Sequence, residues 1–244
     1  MLVRMAMRAL LAELRRQRPE LRDAAALIEA GQVLVRGLPL RNPASRVPIG
    51  ANIVLRVPRR LHGELKLEAA LAAFAPDLRG CVALDVGAAA GGFTRVLLTA
   101  GAARVYAVDA GYGQLLGSLR QDARVVNLEN TNLGELTAAH IPEVIDVVAI
   151  DVSYLSLTEA FPQLAALRLA GNAQLLALVK PMFELRLPAP PVAEIALEAA
   201  LDLSAAAAED NGWRVRGSMP SPVAGHKGAR EFLLYARREA PPDQ

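Results

Sequence analysis

From Lys66 onward the chain alternates between helix-like stretches and short unbroken apolar runs, and this restricts its fold more than any other feature. KLEAALAAFA reads as a helix, and CVALDVG, RVYAVDA, RVVNLE, VIDVVAIDVS and QLLALVKP as five strands, with helical stretches between most of them. A strand that is apolar on both faces must be covered on both. The pattern therefore predicts an α/β fold with a parallel sheet between two helical layers. The end differs, because WRVRGSM and REFLLYARR have only a loop between them and so read as an antiparallel pair. With 53% hydrophobic residues the chain can bury a large core, but aromatics are only 4%, so that core is built from Ala, Leu and Val. Cys81 is the only cysteine, which excludes an internal disulfide and points to a reducing, cytoplasmic location.

The first 60 residues are of another kind. They hold 12 Arg against 4 acids, net +8, while the remainder is net −6, so the formal charge of +2 conceals a basic head on an acidic body. MRALLAELRRQ has helical spacing, and Pro19 is read as starting a second helix, LRDAAALIEAG, that Gly31 ends. VLVRG and NIVLRV read as short strands, with a turn around Leu38 and Pro39. Pro58, Arg59 and Arg60 mark a linker. The expected organisation is a small basic α+β domain over 1–58, a linker over 59–65 and a larger domain over 66–244. No apolar stretch approaches the roughly 20 residues of a spanning helix. The start, MLVRMAMRALLAELRRQR, is broken by Arg4 and Arg8 and lacks a small-residue cleavage site, so it reads as an amphipathic helix rather than a leader.

Three signals carry chemistry. The first is Asp85, Gly87, Ala88, Gly91, Gly92 and Phe93 in DVGAAAGGF, directly after the strand CVAL. A glycine-rich turn between strand and helix lets a ligand approach the backbone at the carboxyl edge of a sheet. The spacing D-x-G-x-A-x-G is not the dinucleotide G-x-G-x-x-G and matches the pattern common where S-adenosylmethionine binds. The second is Asp109, at the end of RVYAVDA, where a carboxylate can accept from both hydroxyls of a ribose; nicotinamide dinucleotides and S-adenosylmethionine share that need. Asn130 stands where it either contacts an adenine or serves as a turn residue. The third signal is lysine usage. Of 27 basic residues 24 are Arg, and the lysines are Lys66, Lys180 and Lys227. Lysine can give up its proton when desolvated or crowded by another cation, and arginine effectively cannot. Lys180 and Asp151 end neighbouring strands, so both face the ligand crevice, either as catalytic groups or as a sheet-edge ion pair. Lys227, in the loop GHKGAR, reads as solvated or at most an RNA contact. These signals make the fold a Rossmann-like class I methyltransferase sheet with a C-terminal antiparallel strand pair, preceded by the small α+β domain.

LDVGAAAGGFTRVLLTAGAARVYAVDAGYGQL, LENTN, DVSYLSL and LVKPMFE resemble the TlyA/hemolysin-A family, strongly from Lys66 to Phe183. In the head, LRDAAALIEAGQVLVRG carries a weaker likeness. The resemblance implies a ribosomal-protein S-four-like RNA-binding domain joined to an FtsJ-like ribose methyltransferase. It also implies a catalytic set that falls on Lys66, Asp151, Lys180 and Glu231. A ribose 2′-hydroxyl is a weak nucleophile, and a lysine that takes or orients its proton as it attacks a sulfonium methyl answers that need. Lys180 is expected in that role. Lys66 adds charge favouring a neutral Lys180, and Asp151 and Glu231 hold the geometry.

The chain departs from the family at several points. His62 stands where an arginine is usual, LRLPAPP replaces a glycine-rich loop after Glu184, and Gly228 to Glu231 reads G-A-R-E for G-N-x-E. The expected activity is S-adenosylmethionine-dependent RNA 2′-O-methylation, with ribosomal RNA the substrate. RNA is expected on Arg8, Arg15, Arg16, Arg22 and Arg36 of the head and on Arg59 and Arg60 of the linker. No metal and no membrane partner are expected. A non-catalytic RNA-binding protein on the same scaffold is the alternative; a membrane-active hemolysin and a nicotinamide oxidoreductase fit the sequence less well.

Overall fold

The computed structural model describes residues 6–56 and 60–239. The chain divides between residues 59 and 60 into two units, each with its own core. The first holds β1 (Met7–Ala9), α1 (Leu10–Gln17), α2 (Ala24–Glu29), β2 (Val33–Val35), β3 (Leu38–Pro39), β4 (Arg46–Pro48) and β5 (Ile53–Leu55). Leu10, Leu14, Ala24, Ile28 and Val33 are completely buried. β1 pairs with β4, and β2 is the centre of a three-stranded sheet between β3 and β5.

Three details differ from the sequence reading. Met7–Ala9 is a strand rather than the first turn of the helix, because β4 supplies it with backbone partners. Leu38 and Pro39 are paired strand residues. The turn falls instead at Arg36 and Gly37, whose φ of 53° and 79° give the left-handed pair that a two-residue hairpin requires. The second helix begins at Ala24, after turns that follow Pro19. Gly31 ends it at φ 71°, as expected.

One carboxylate ties the head together. Glu13, completely buried, accepts from Arg8 at 3.2 Å, Arg16 at 2.5 Å, Gln17 at 2.8 Å and the Gly50 amide at 2.9 Å. Chiefly the Arg16 guanidinium, then Gln17, holds this carboxyl well below the usual carboxylate range.

The second unit holds α3 (His62–Phe74), β6 (Val82–Val86), α4 (Gly92–Thr99), β7 (Arg104–Asp109), α5 (Gly117–Arg120), β8 (Val125–Glu129), β9 (Ile145–Ile150), α6 (Leu157–Gln163), β10 (Leu169–Val179), α7 (Pro181–Glu184), α8 (Glu194–Asp210), β11 (Trp213–Pro220) and β12 (Phe232–Arg238). The seven strands lie in the order β11-β12-β10-β9-β6-β7-β8. The five from β10 to β8 are parallel, and β12 runs antiparallel to both its neighbours. This is the parallel sheet and closing pair that the alternation predicts. From β6 the chain builds outward through β7 and β8, then returns to lay down β9 and β10 on the other side. The strand order therefore reverses between β6 and β9, where an open α/β sheet leaves a crevice beyond its carboxyl ends.

Successive residues of each strand serve different cores. Leu84, Val86, Val148 and Ile150 belong to one buried cluster with Phe161 and Trp213; Ala83, Val147 and Ala149 belong to the other, with Leu67, Phe93 and Leu97. On the second face, α3 and α4 meet backbone to backbone: a Cβ placed on Gly92 would lie 2.9 Å from the Gly63 Cα. α3 starts one turn before Lys66 because Glu64 reaches back to the Leu61 amide, closing its first turn.

Phe161 is 1% exposed and fills the first cluster. Phe161→Ala should destabilise this unit by about 3–5 kcal/mol. Urea unfolding followed by the fluorescence of Trp213, the only tryptophan, reads that loss as a lower midpoint.

Candidate active site

The crevice is built at the ends of β6 and β9. β6 delivers Asp85, then Gly87 turns at φ 86° directly onto the neighbouring strand's exit. A Cβ there would lie 2.2 Å from the Asp151 carbonyl oxygen, so only glycine lets the two strand ends approach. Ala89, where a glycine is often found, takes φ 45°; its amide donates to Asp109 at 2.8 Å. The other Asp109 oxygen accepts from the Gly111 amide at 2.6 Å. The carboxylate at the end of β7 thus already organises both loops, and keeps lone pairs for further donors. Asn130 has φ 56° and its backbone N–H donates to the Gly111 carbonyl at 2.9 Å, so its backbone turns at the same loop. Glu129 holds the next stretch: it accepts from the Gln114 and Leu115 amides and pairs with Arg120 at 2.8 Å.

Asp85 is completely buried, and Thr94 donates to one of its oxygens at 2.5 Å. The other oxygen, Oδ1, has no partner among the described residues. Burial pushes its carboxyl up to about 7, against the Thr94 hydrogen bond; Asp151 and Asp109 add to the rise. An orphaned buried acceptor at the foot of a glycine turn, beside a second carboxylate on β7, suits a ligand that brings cationic and hydroxyl donors.

The four groups implied by the family resemblance meet although they come from four elements. Lys180 follows β10 and lies 2.6 Å from Asp151 Oδ1, which follows β9. Lys66, on α3, lies 3.7 Å from Asp151 Oδ2 and 2.7 Å from Glu231 Oε2, just before β12. The last is a charge contact without hydrogen-bond alignment. All four side chains are at most one-fifth exposed. Buried charges persist only when paired, and the alternation Lys180, Asp151, Lys66, Glu231 pairs every one. Glu231 is seated against Gly225, where a Cβ would come within 2.1 Å of its Oε1.

These residues line a cavity of about 810 Å³, together with Gly87, Ala89, His62 and the wall from Pro188 to Pro191. A smaller one beside it, about 200 Å³, is lined by Gly63, Gly87 to Ala90, Gly92 and Phe93. Ala88 and Gly92 thus lie where the glycine-loop reading puts them, while Gly91, at φ 93°, packs against Leu115 and Leu119.

Sequence reasoning missed Ser153, whose hydroxyl lies 2.6 Å from Lys180 Nζ. Its position two residues after Asp151 in DVS was the available signal. Glu184 of LVKPMFE turns away from the cavity to receive the Leu157 amide at 2.8 Å, at the start of α6. Of the arginines assigned to RNA, Arg15, Arg16, Arg22 and Arg36 are exposed, and Arg8 and Arg16 also pair with Glu13. Arg60 is paired with Glu68, and Arg59 lies outside the described residues.

The FtsJ-like methyltransferase model matches residues 60–238. The chain belongs to this family. A Mycobacterium tuberculosis protein named 16S/23S rRNA (cytidine-2′-O)-methyltransferase TlyA is 41% identical over 226 residues, 89% of this chain and 84% of the relative. Hemolysin A of Brachyspira hyodysenteriae is 31% identical, over 87% of this chain and 91% of its own length. A solved structure from Streptococcus thermophilus, described as a hemolysin, is 33% identical with TM-score 0.69, covering 98% of this chain and 90% of that one. The TlyA/hemolysin-A branch of the FtsJ-like family therefore includes this chain. No helix among its described residues is long and apolar enough to cross a membrane.

The raised Asp85 carboxyl has a consequence for stability. Its folded value is above the unfolded 3.8, so between about pH 4 and pH 7 the native state holds the proton that the unfolded state has lost. This contribution is fully present below pH 4 and is lost as pH rises through 7. Urea unfolding at pH 5 and pH 8 should show wild type losing on the order of a few kcal/mol relative to Asp85→Asn, which carries no titrating group. Parallel pH curves for the two proteins would refute the assignment.

Proposed function

We propose that this protein transfers a methyl group from S-adenosylmethionine to a ribose 2′-hydroxyl of ribosomal RNA in the cytoplasm. The observation that carries the reading is the charge-balanced run of Lys180, Asp151, Lys66 and Glu231 at the lip of the Gly87 turn. S-adenosylmethionine, when bound, supplies an electrophilic methyl on a sulfonium. The Gly87 to Ala89 backbone, Asp85, Asp109 and Asn130 are the residues that would hold it: carboxylates for its ammonium and ribose hydroxyls, a side chain without charge for its base. The relatives named for rRNA cytidine 2′-O-methylation support the substrate class.

Lys180 is the group that receives the target hydroxyl. Its ammonium is fixed between Asp151 and Ser153, both at 2.6 Å, so its position is set before any substrate arrives. Held there, the ammonium can orient the hydroxyl oxygen for its attack on the methyl group. Lys66 approaches the second oxygen of Asp151 at 3.7 Å and so helps to hold the carboxylate that positions Lys180. Glu231 keeps Lys66 compensated within the buried site. The head would hold RNA by its S-four-like arrangement, with Arg15, Arg22 and Arg36 the arginines whose charge faces outward.

Removing Lys180 should cost the reaction and spare the cofactor. Lys180→Ala and Lys180→Arg are expected to lower methyl transfer to unmethylated ribosomal subunits by at least about 10²-fold. Calorimetry should find S-adenosylmethionine bound with nearly wild-type affinity. Retained turnover in either variant removes Lys180 from the mechanism, and a wild-type protein that binds no S-adenosylmethionine removes the enzyme reading altogether.

A further inference from the structure

All three lysines of the chain line the same 810 Å³ cavity. In a protein that places arginine at 24 of its 27 basic positions, this convergence includes Lys227, which has no partner in the catalytic set. Lys66 and Lys180 are held by Asp151 and Glu231, two cations against two anions. Arg230, also on the wall, is engaged with Glu194 at 2.7 Å. Among the described residues no carboxylate pairs with Lys227, so it is the surplus positive charge of the site.

The backbone that carries it is held in a defined turn. Lys227 has φ 55° and ψ 29°, the left-handed conformation that non-glycine residues rarely adopt, inside the tight turn His226–Gly228. The turn is closed by Gly225 donating to the Ala229 carbonyl at 2.8 Å, and Gly225 is the residue packed against the Glu231 carboxylate. The loop carrying Lys227 is thereby braced on the catalytic set. Ribose chemistry supplies the reason for a cation here. A 2′-hydroxyl in RNA is on the carbon next to the one bearing the 3′-phosphodiester. Bringing that hydroxyl to Lys180 therefore brings a phosphate anion into a cavity whose two carboxylates and two lysines already balance one another, leaving it no counter-charge among them.

We propose that Lys227 binds the phosphodiester adjoining the target ribose, supplying the counter-charge that the self-neutralised catalytic set does not, and seating the nucleotide. The inference rests on the RNA 2′-O-methyltransferase reading above and assigns the substrate's phosphate to a residue outside the catalytic set.

Methylation of unmethylated ribosomal subunits, measured against substrate and salt concentration, tests it. Lys227→Ala and Lys227→Asn should each raise KM for the RNA by about 3- to 10-fold, more than they lower kcat. Both should reduce the slope of log kcat/KM against log salt by about 1, one phosphate contact. Lys227→Asn tolerates the left-handed backbone, so it separates charge from strain. Lys227→Arg should keep the wild-type salt slope. A wild-type KM and slope in the alanine and asparagine variants overturns the proposal while leaving the enzyme reading intact. Failure of the arginine variant alongside the other two overturns it as well, since charge would then not be what is read. If the wild-type protein transfers no methyl group to the subunits, both readings fall together.

Discussion

Everything at the active site depends on the contact between the Gly87 turn and the exit of β9. These strands are neighbours where the sheet order reverses, so their carboxyl ends border the crevice. The absent Cβ at Gly87 lets the Asp151 carbonyl come within 2.2 Å of where that atom would be. Asp151 is consequently fixed relative to the Gly87 loop. Through its two oxygens it then fixes Lys180 on one side and Lys66 on the other. The charges satisfy one another in a partly buried place where an odd one would be costly.

The two faces of the sheet are built differently for the same reason. The face carrying α6 and α8 is packed with Leu, Ile, Phe161 and the single tryptophan. The face carrying α3 and α4 uses Ala83, Ala107 and Ala149, small residues that let both helices come close. The close approach of Gly63 and Gly92 completes that economy of volume. Lys66, one helical turn beyond Gly63, reaches the crevice because α3 lies so near the sheet.

The sequence made the sheet legible because parallel strands are apolar on both faces, a pattern few other arrangements require. Lys180 and Asp151 were legible for a related reason: each ends a strand, so its location at the carboxyl edge followed from the pattern alone. Lys66 and Glu231 were not visible in this way, since one lies mid-helix and the other in a loop; only resemblance to a family pointed to them. Ser153 escaped because a serine after a strand is ordinary and its contact depends on a lysine 27 residues away. The head was read less well. Three-residue strands such as Met7–Ala9 carry too little periodicity to separate from a helix, and β1 exists through its partner β4. Nothing in the sequence announced that a buried Glu13 would pair with Arg8 and Arg16.

The helix that carries Lys66 gives the catalytic unit a working start earlier than its first strand. Gly63 abuts the glycine turn, and Glu64 both closes the helix and pairs with Arg95 of α4 at 2.7 Å. A grafted or transplanted version of this module that began at Lys66 would keep Lys66, Asp151, Lys180 and Glu231 yet lose the turn that aligns the first of them. The smallest portable unit is therefore defined by a backbone-to-backbone contact, and it includes residues that touch no reactant.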